Sequence, residues 1–138
     1  MNDRYLFRAK RKNWKQLPKE MWWVEGYLYG IWESRYILWG MINDVPNMVE
    51  VDPSTICQCT GLKDKNCKLI WENDVIGFWD AYSTENGYAE ADCIGKVVWD
   101  DETLSFQVTE RLSAESYEVL DECSVIGNIF DNPELIHE

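Results

Sequence analysis

Histidine is almost missing. There is one in 138 residues, His137, beside the end of the sequence. Its scarcity removes the usual base of a Ser–His or Cys–His pair and the commonest nitrogen ligand of zinc. No apolar run approaches the ~20 residues that a membrane-spanning helix needs. Residues 1–20 lack the apolar core of a signal peptide. The expectation is therefore a cytoplasmic protein with no membrane contact. No P-loop, dinucleotide fingerprint or nucleophile elbow occurs, so no catalytic residue and no cofactor is assigned. The five cysteines (Cys57, Cys59, Cys67, Cys93, Cys123) are odd in number. A secreted disulfide framework favours an even count, so free thiols are expected. Repeats, low-complexity tracts and linkers are absent too.

Aromatic residues are abundant: eight Trp, seven Tyr and four Phe, within a chain that is 46% apolar. Disordered chains are poor in such residues, and a chain of this length can bury a real core. The charge is strongly acidic and uneven. Residues 1–19 carry seven basic side chains against Asp3, a net of +6. Residues 20–138 carry six basic and 24 acidic side chains, a net of −18. The reading is a basic N-terminal arm or first strand over residues 1–20, followed by a single β-rich domain over 21–138. An acidic body repels nucleic-acid phosphates. The basic segment would bind nucleic acid or, as the favoured reading, the acidic surface of its own chain or a neighbouring copy.

The dominant period is two. Apolar and aromatic runs recur at Tyr5–Arg8, Met21–Val24, Tyr27–Trp32, Tyr36–Ile42, Asn47–Val51, Thr55–Cys59, Lys68–Trp71, Val75–Tyr82, Ala89–Trp99, Leu104–Val108 and Val125–Phe130. Runs this closely spaced predict a mainly β fold, a small β-barrel or sandwich with local hairpins and one or two short helices. Gly26, Asn43–Pro46, Glu85–Gly87 and Asp100–Glu102 read as turns. Asp52-Pro53-Ser54 reads as a capped single turn, Ser113–Glu122 as the best helix, and Asn132–Leu135 as a last turn.

Thr60 to Ile76 reads TGLKDKNCKLIWENDVI. It resembles the signature of the YopX-like family of phage and prophage proteins, a pattern close to T-G-L-K-D-K-N-G-K-x-I-Y-E-G-D-I-V. VIGNIFDNPEL, Val125 to Leu135, resembles that family's C-terminal block, and VDPSTICQCTG leads into the first. The resemblance implies no known biochemical activity. The motif residues are Thr60, Gly61, Leu62, Asp64, Asn66, Ile70, Glu72, Asp74, Gly127, Asn128 and Pro133. Cys67, Trp71 and Asn73 stand where the pattern has Gly, Tyr and Gly. Asn73 reaches positive φ at modest cost but Cys67 does not, so a changed turn geometry is expected at Cys67.

Physically the first block reads as a hairpin and a corner. Asp64 accepts backbone N–H bonds across the tip, Asn66 tolerates left-handed backbone, and Asp74 ties a diverging turn. The second block reads as a closing strand pinned by a terminal turn. Competing readings make Asp64, Glu72 and Asp74 a carboxylate cluster for acid–base or metal chemistry, or Lys63, Lys65 and Lys68 a partner- or phosphate-binding tip. Cys57, Cys59 and Cys67 invite zinc, but their spacing lacks a C-x₂-C knuckle. The Met21–Trp32 stretch would stack a ligand ring or supply core on one face and interface on the other.

Together these readings predict a non-enzymatic, self-associating phage accessory protein, a homo-oligomer with a possible host or phage protein partner. The alternative is an acidic binding module, either mimicking DNA or touching nucleic acid through the basic arm and lysine hairpin.

Overall fold

Alternating β-branched and aromatic side chains form strands because each face of the pleat then buries or presents one kind of residue. The computed structural model describes residues 5–43, 45–109 and 123–136. It bears out a mainly β fold of two antiparallel sheets, and its only helical turns among the described residues are 3-10. Among the described residues neither sheet closes into a barrel. The helix expected at Ser113–Glu122 lies outside the described residues. The chain divides into two compact units, Met1–Cys59 and Thr60–Glu138, where the sequence suggests an arm and one domain.

The first unit holds β1 (Phe7–Lys10), β2 (Trp23–Ile31), β3 (Ser34–Ile42), β4 (Val45–Glu50) and the start of β5 (Cys57–Lys63). Its order is β4-β3-β2-β1-β5. The residues read as an arm or first strand thus supply β1, flanked on both sides by strands. Ala9, Val24, Ile37 and Val51 form its core, with Phe7, Val49 and Ile56 against them. Gly26 is not a turn. It pairs with Phe7 inside β2, and a Cβ there would lie 2.3 Å from the carbonyl oxygen of Leu38. Glycine is required by close backbone approach, so two predicted runs merge into one strand. Asp52 caps its 3-10 turn as expected, accepting from the Ser54 N–H at 3.1 Å.

The second unit holds the end of β5, β6 (Leu69–Trp71), β7 (Asp74–Thr84), β8 (Gly87–Asp100), β9 (Ser105–Val108) and β10 (Ser124–Asn128). Four of them form a sheet in the order β10-β7-β8-β9. β7 and β8 make the long hairpin predicted around Asn86-Gly87, in register from Val75↔Lys96 to Thr84↔Gly87. Gly87 takes positive φ at its turn. Ile70, Ile76, Phe78, Val97, Val108 and Cys123 are the core. β10 carries a register shift between Val125 and Gly127, which breaks the simple alternation expected there.

Candidate functional site

The first signature block is a backbone device. β5 ends at Lys63, the tip runs through Asp64 to Lys68, and β6 returns. Asp64 is buried. Its Oδ1 accepts the N–H groups of Asn66 at 2.8 Å and Lys68 at 2.9 Å, and its Oδ2 accepts that of Val125 at 2.9 Å. The Lys65 N–H donates to the carbonyl of Cys123 at 3.0 Å. One carboxylate therefore shapes the hairpin tip and also ties it to the start of β10, in the second signature block. Burial pushes the Asp64 carboxyl up. The three backbone donors and the nearby Lys68 charge outweigh burial and hold it below the ordinary aspartate value of 3.8.

Asp74 closes the next corner, where its Oδ2 accepts the Trp71 N–H at 2.8 Å. Asn73 takes a left-handed φ of 70°, donates to the Val97 carbonyl at 2.8 Å and accepts from Ile129 at 3.0 Å. Thr60 Oγ1 donates to the Ile70 carbonyl at 2.8 Å and accepts the Leu62 N–H at 3.1 Å, while Gly61 has φ 82°. Ile70 and Trp71 are both buried, and Glu72 is half-buried. Among the described residues, no three His, Cys, Asp or Glu side chains are gathered to hold a metal ion. The acidic trio and the cysteine trio are not assembled as ligand sets. Lys63, Lys65 and Lys68 are exposed around the tip, as are Leu62 and Asn66.

The turn at Cys67 keeps left-handed geometry, with φ 64°, rather than changing as the sequence suggested. Its N–H still donates to the Asp64 carbonyl at 3.0 Å. A β-carbon there carries strain that glycine lacks. Cys67→Gly is expected to stabilise the protein by about 0.5–1 kcal/mol, read as a midpoint shift in urea unfolding. A loss of stability would show that the thiol contributes more than the strain costs.

The C-terminal block is a second local network. The Asn128 side-chain oxygen accepts from the Phe130 and Asp131 N–H groups, both at 3.0 Å. The Asn132 N–H donates to the Asn128 carbonyl at 2.8 Å, and Pro133 opens the last 3-10 turn. A Cβ on Gly127 would meet Asn132 Oδ1 at 2.4 Å, so glycine makes room for the Asn132 side chain, whose Oδ1 accepts the Asn128 N–H at 3.3 Å.

Two features were anticipated only in outline. The basic segment folds onto its own unit. Lys10, 2% exposed, points its ammonium at the rings of Trp14, Trp22 and Trp23, at 3.9, 4.4 and 5.5 Å from their centroids. Arg8 lies over Trp23, Lys15 over Trp14 and Lys19 over Trp22. Lys12 pairs with Glu50 at 3.0 Å, and the Arg11 guanidinium donates to the Met21 carbonyl. The interleaving of cations with Trp14, Trp22 and Trp23 was the available signal. The second feature is the exposed aromatic surface of β2 and its turn, with Tyr27, Tyr29 and Ile31 open to solvent and Trp32 at the turn 94% exposed.

The chain matches the YopX protein family over residues 6–137, nearly its whole length. It belongs to that family. No curated protein matches it. In this YopX protein the resemblance carried by two short blocks thus extends through both units. The part-buried bond from the Val125 N–H to Asp64 joins those blocks across 61 positions.

Proposed function

We propose that this YopX protein is a non-enzymatic, self-associating accessory protein of phage or prophage origin, acting in the cytoplasm. The observation that carries the reading is the exposed aromatic surface of β2 and its turn, with Tyr27, Tyr29, Ile31 and Trp32 open to solvent. Contiguous exposed aromatic surface of this kind marks interaction sites. The signature carboxylates Asp64 and Asp74 spend oxygens on backbone N–H groups, which is how a folding unit uses them. Light scattering at micromolar concentration is expected to give a multiple of the 16.3 kDa chain mass. A mass of one chain would refute self-association.

A second reading rests on charge. The second unit carries five basic and eighteen acidic side chains, a net of −13, while the first carries eight and seven, a net of +1. A body so acidic would suit a basic groove on a host or phage nucleic-acid enzyme. This reading predicts basic proteins in a pull-down. Direct nucleic-acid contact through Lys63, Lys65 and Lys68 predicts instead a salt-sensitive shift of labelled DNA or RNA.

A further inference from the structure

We infer that the far end of the β7–β8 hairpin docks an extended, lysine- or arginine-rich segment of a partner protein, which adds as a strand along the outer edge of β8; the inference rests on the second, acidic-module reading above. The backbone ladder supplies the place. β10 pairs with β7 only from Asp74 to Gly77, and β9 pairs with β8 only from Val97 to Asp100. β7 and β8 pair with each other much further, out to Thr84↔Gly87. From Asp80 to Thr84 and from Gly87 to Ala91 this ribbon has no third strand among the described residues.

A strand edge presents a row of N–H and C=O groups that templates another strand. A two-stranded ribbon is marginal by itself, so a third strand has stability to add. Protein edges are guarded by proline, bulges or charge. No proline lies between Trp79 and Ile94, and the register there runs without a shift. The guard is charge, and it has one sign. Asp80, Glu85, Glu90 and Asp92 are acidic, and no basic residue lies between Trp79 and Ile94.

That sign selects the occupant. Like charges opposite each other across strands repel, and unlike charges attract. A second copy laid along β8 would bring Glu90 and Asp92 against acids of its own ribbon. Nucleic-acid phosphates are repelled in the same way. The ribbon cannot neutralise these acids across its own ladder, where register sets Asp80 against Ala91, Ala81 against Glu90 and Trp79 against Asp92. Glu90 and Asp92 stand two positions apart, the spacing that repeats on one side of a strand. A partner strand with cations at alternate positions therefore matches both. Trp79, 57% exposed beside the exposed Asp92, offers a ring to one of those cations. Main-chain bonds would supply affinity and the acids the choice of partner.

The test is fluorescence anisotropy on the full chain with a labelled peptide of about ten residues alternating lysine with threonine, and with a second peptide of equal charge in which prolines replace threonines. The alternating peptide should bind, and the proline form should bind about tenfold or more weakly, because it cannot donate along an edge. Glu90→Gln with Asp92→Asn should weaken the alternating peptide about tenfold. Glu102→Gln with Glu134→Gln, which neutralises two exposed acids outside the ribbon, should leave it unchanged. Amide exchange from Gly87 to Asp92 should slow in the complex. If the ribbon variant perturbs folding, the proline comparison and the exchange decide. Equal binding of the two peptides, equal loss in both variants, or no binding of the alternating peptide overturns the ribbon site while leaving the acidic-module reading to its pull-down. No basic protein in that pull-down, together with no peptide binding, overturns both.

Discussion

Replacing Asp64 with alanine should cost roughly 3–5 kcal/mol, among the largest losses available to a single substitution here. The change takes their shared acceptor from the part-buried N–H groups of Asn66, Lys68 and Val125, which now meet one carboxylate at 2.8–2.9 Å. Asparagine separates the roles of the two oxygens. Its carbonyl can keep the Asn66 and Lys68 bonds, but its amide nitrogen would then face the Val125 N–H, donor against donor. Asp64→Asn should therefore cost about 2 kcal/mol and raise hydrogen exchange at Val125 more than at Asn66. Denaturant unfolding gives the first quantity and amide exchange the second. A catalytic Asp64 would give the opposite pattern, with fold retained in both variants.

The same carboxylate sets a pH dependence. A group held below its ordinary value in the folded state binds fewer protons folded than unfolded. Its contribution is complete above the ordinary 3.8 and is lost as pH falls through the folded value. Asp52 adds in the same direction. Burial raises it, but bonds from the Ser54 hydroxyl and N–H and from Trp14, with the Lys15 charge, bring it down. Acid unfolding should thus begin in this window.

Lys10→Ala should cost about 3–4 kcal/mol, combining a cavity among three indoles with the loss of a desolvated cation–π cluster. Lys10→Met retains most of the stem and should cost about 1–2 kcal/mol, the part owed to the ammonium. Lys10→Glu would aim an anion at the negative ring faces of Trp14, Trp22 and Trp23 and should prevent the first unit from folding. Tryptophan fluorescence followed through urea unfolding checks all three. A detached basic arm that served nucleic acid would predict unchanged unfolding in each variant.

The strands were legible because period two is a local property. Ser34–Ile42, Asp74–Thr84 and Gly87–Asp100 fall within a few residues of their predicted runs. The caps at Asp52 and Asp74 were legible for the same reason, since donor and acceptor lie two or three positions apart. What sequence could not give is long-range. Gly26 looked like a turn because the carbonyl that excludes a side chain belongs to Leu38, on the neighbouring strand. Lys10 read as one more cation of a basic segment seeking an acidic partner, because Trp14 and Trp22 reach it only after the 3-10 turns fold back. Asp64 looked like a local cap, and half of its role depends on Val125. The division after Cys59 was hidden because β5 runs through it without a linker.

The central claim is that the signature carboxylate is an ionised anchor for backbone, not an acid or base that exchanges protons with a substrate. Carbon-detected NMR titration of the Asp64 carboxyl in the intact protein tests it most directly. An anchor predicts a midpoint below the ordinary 3.8, accompanied by a shift of the Val125 amide with the same midpoint. A midpoint above the ordinary value, or a Val125 amide indifferent to that titration, would contradict it.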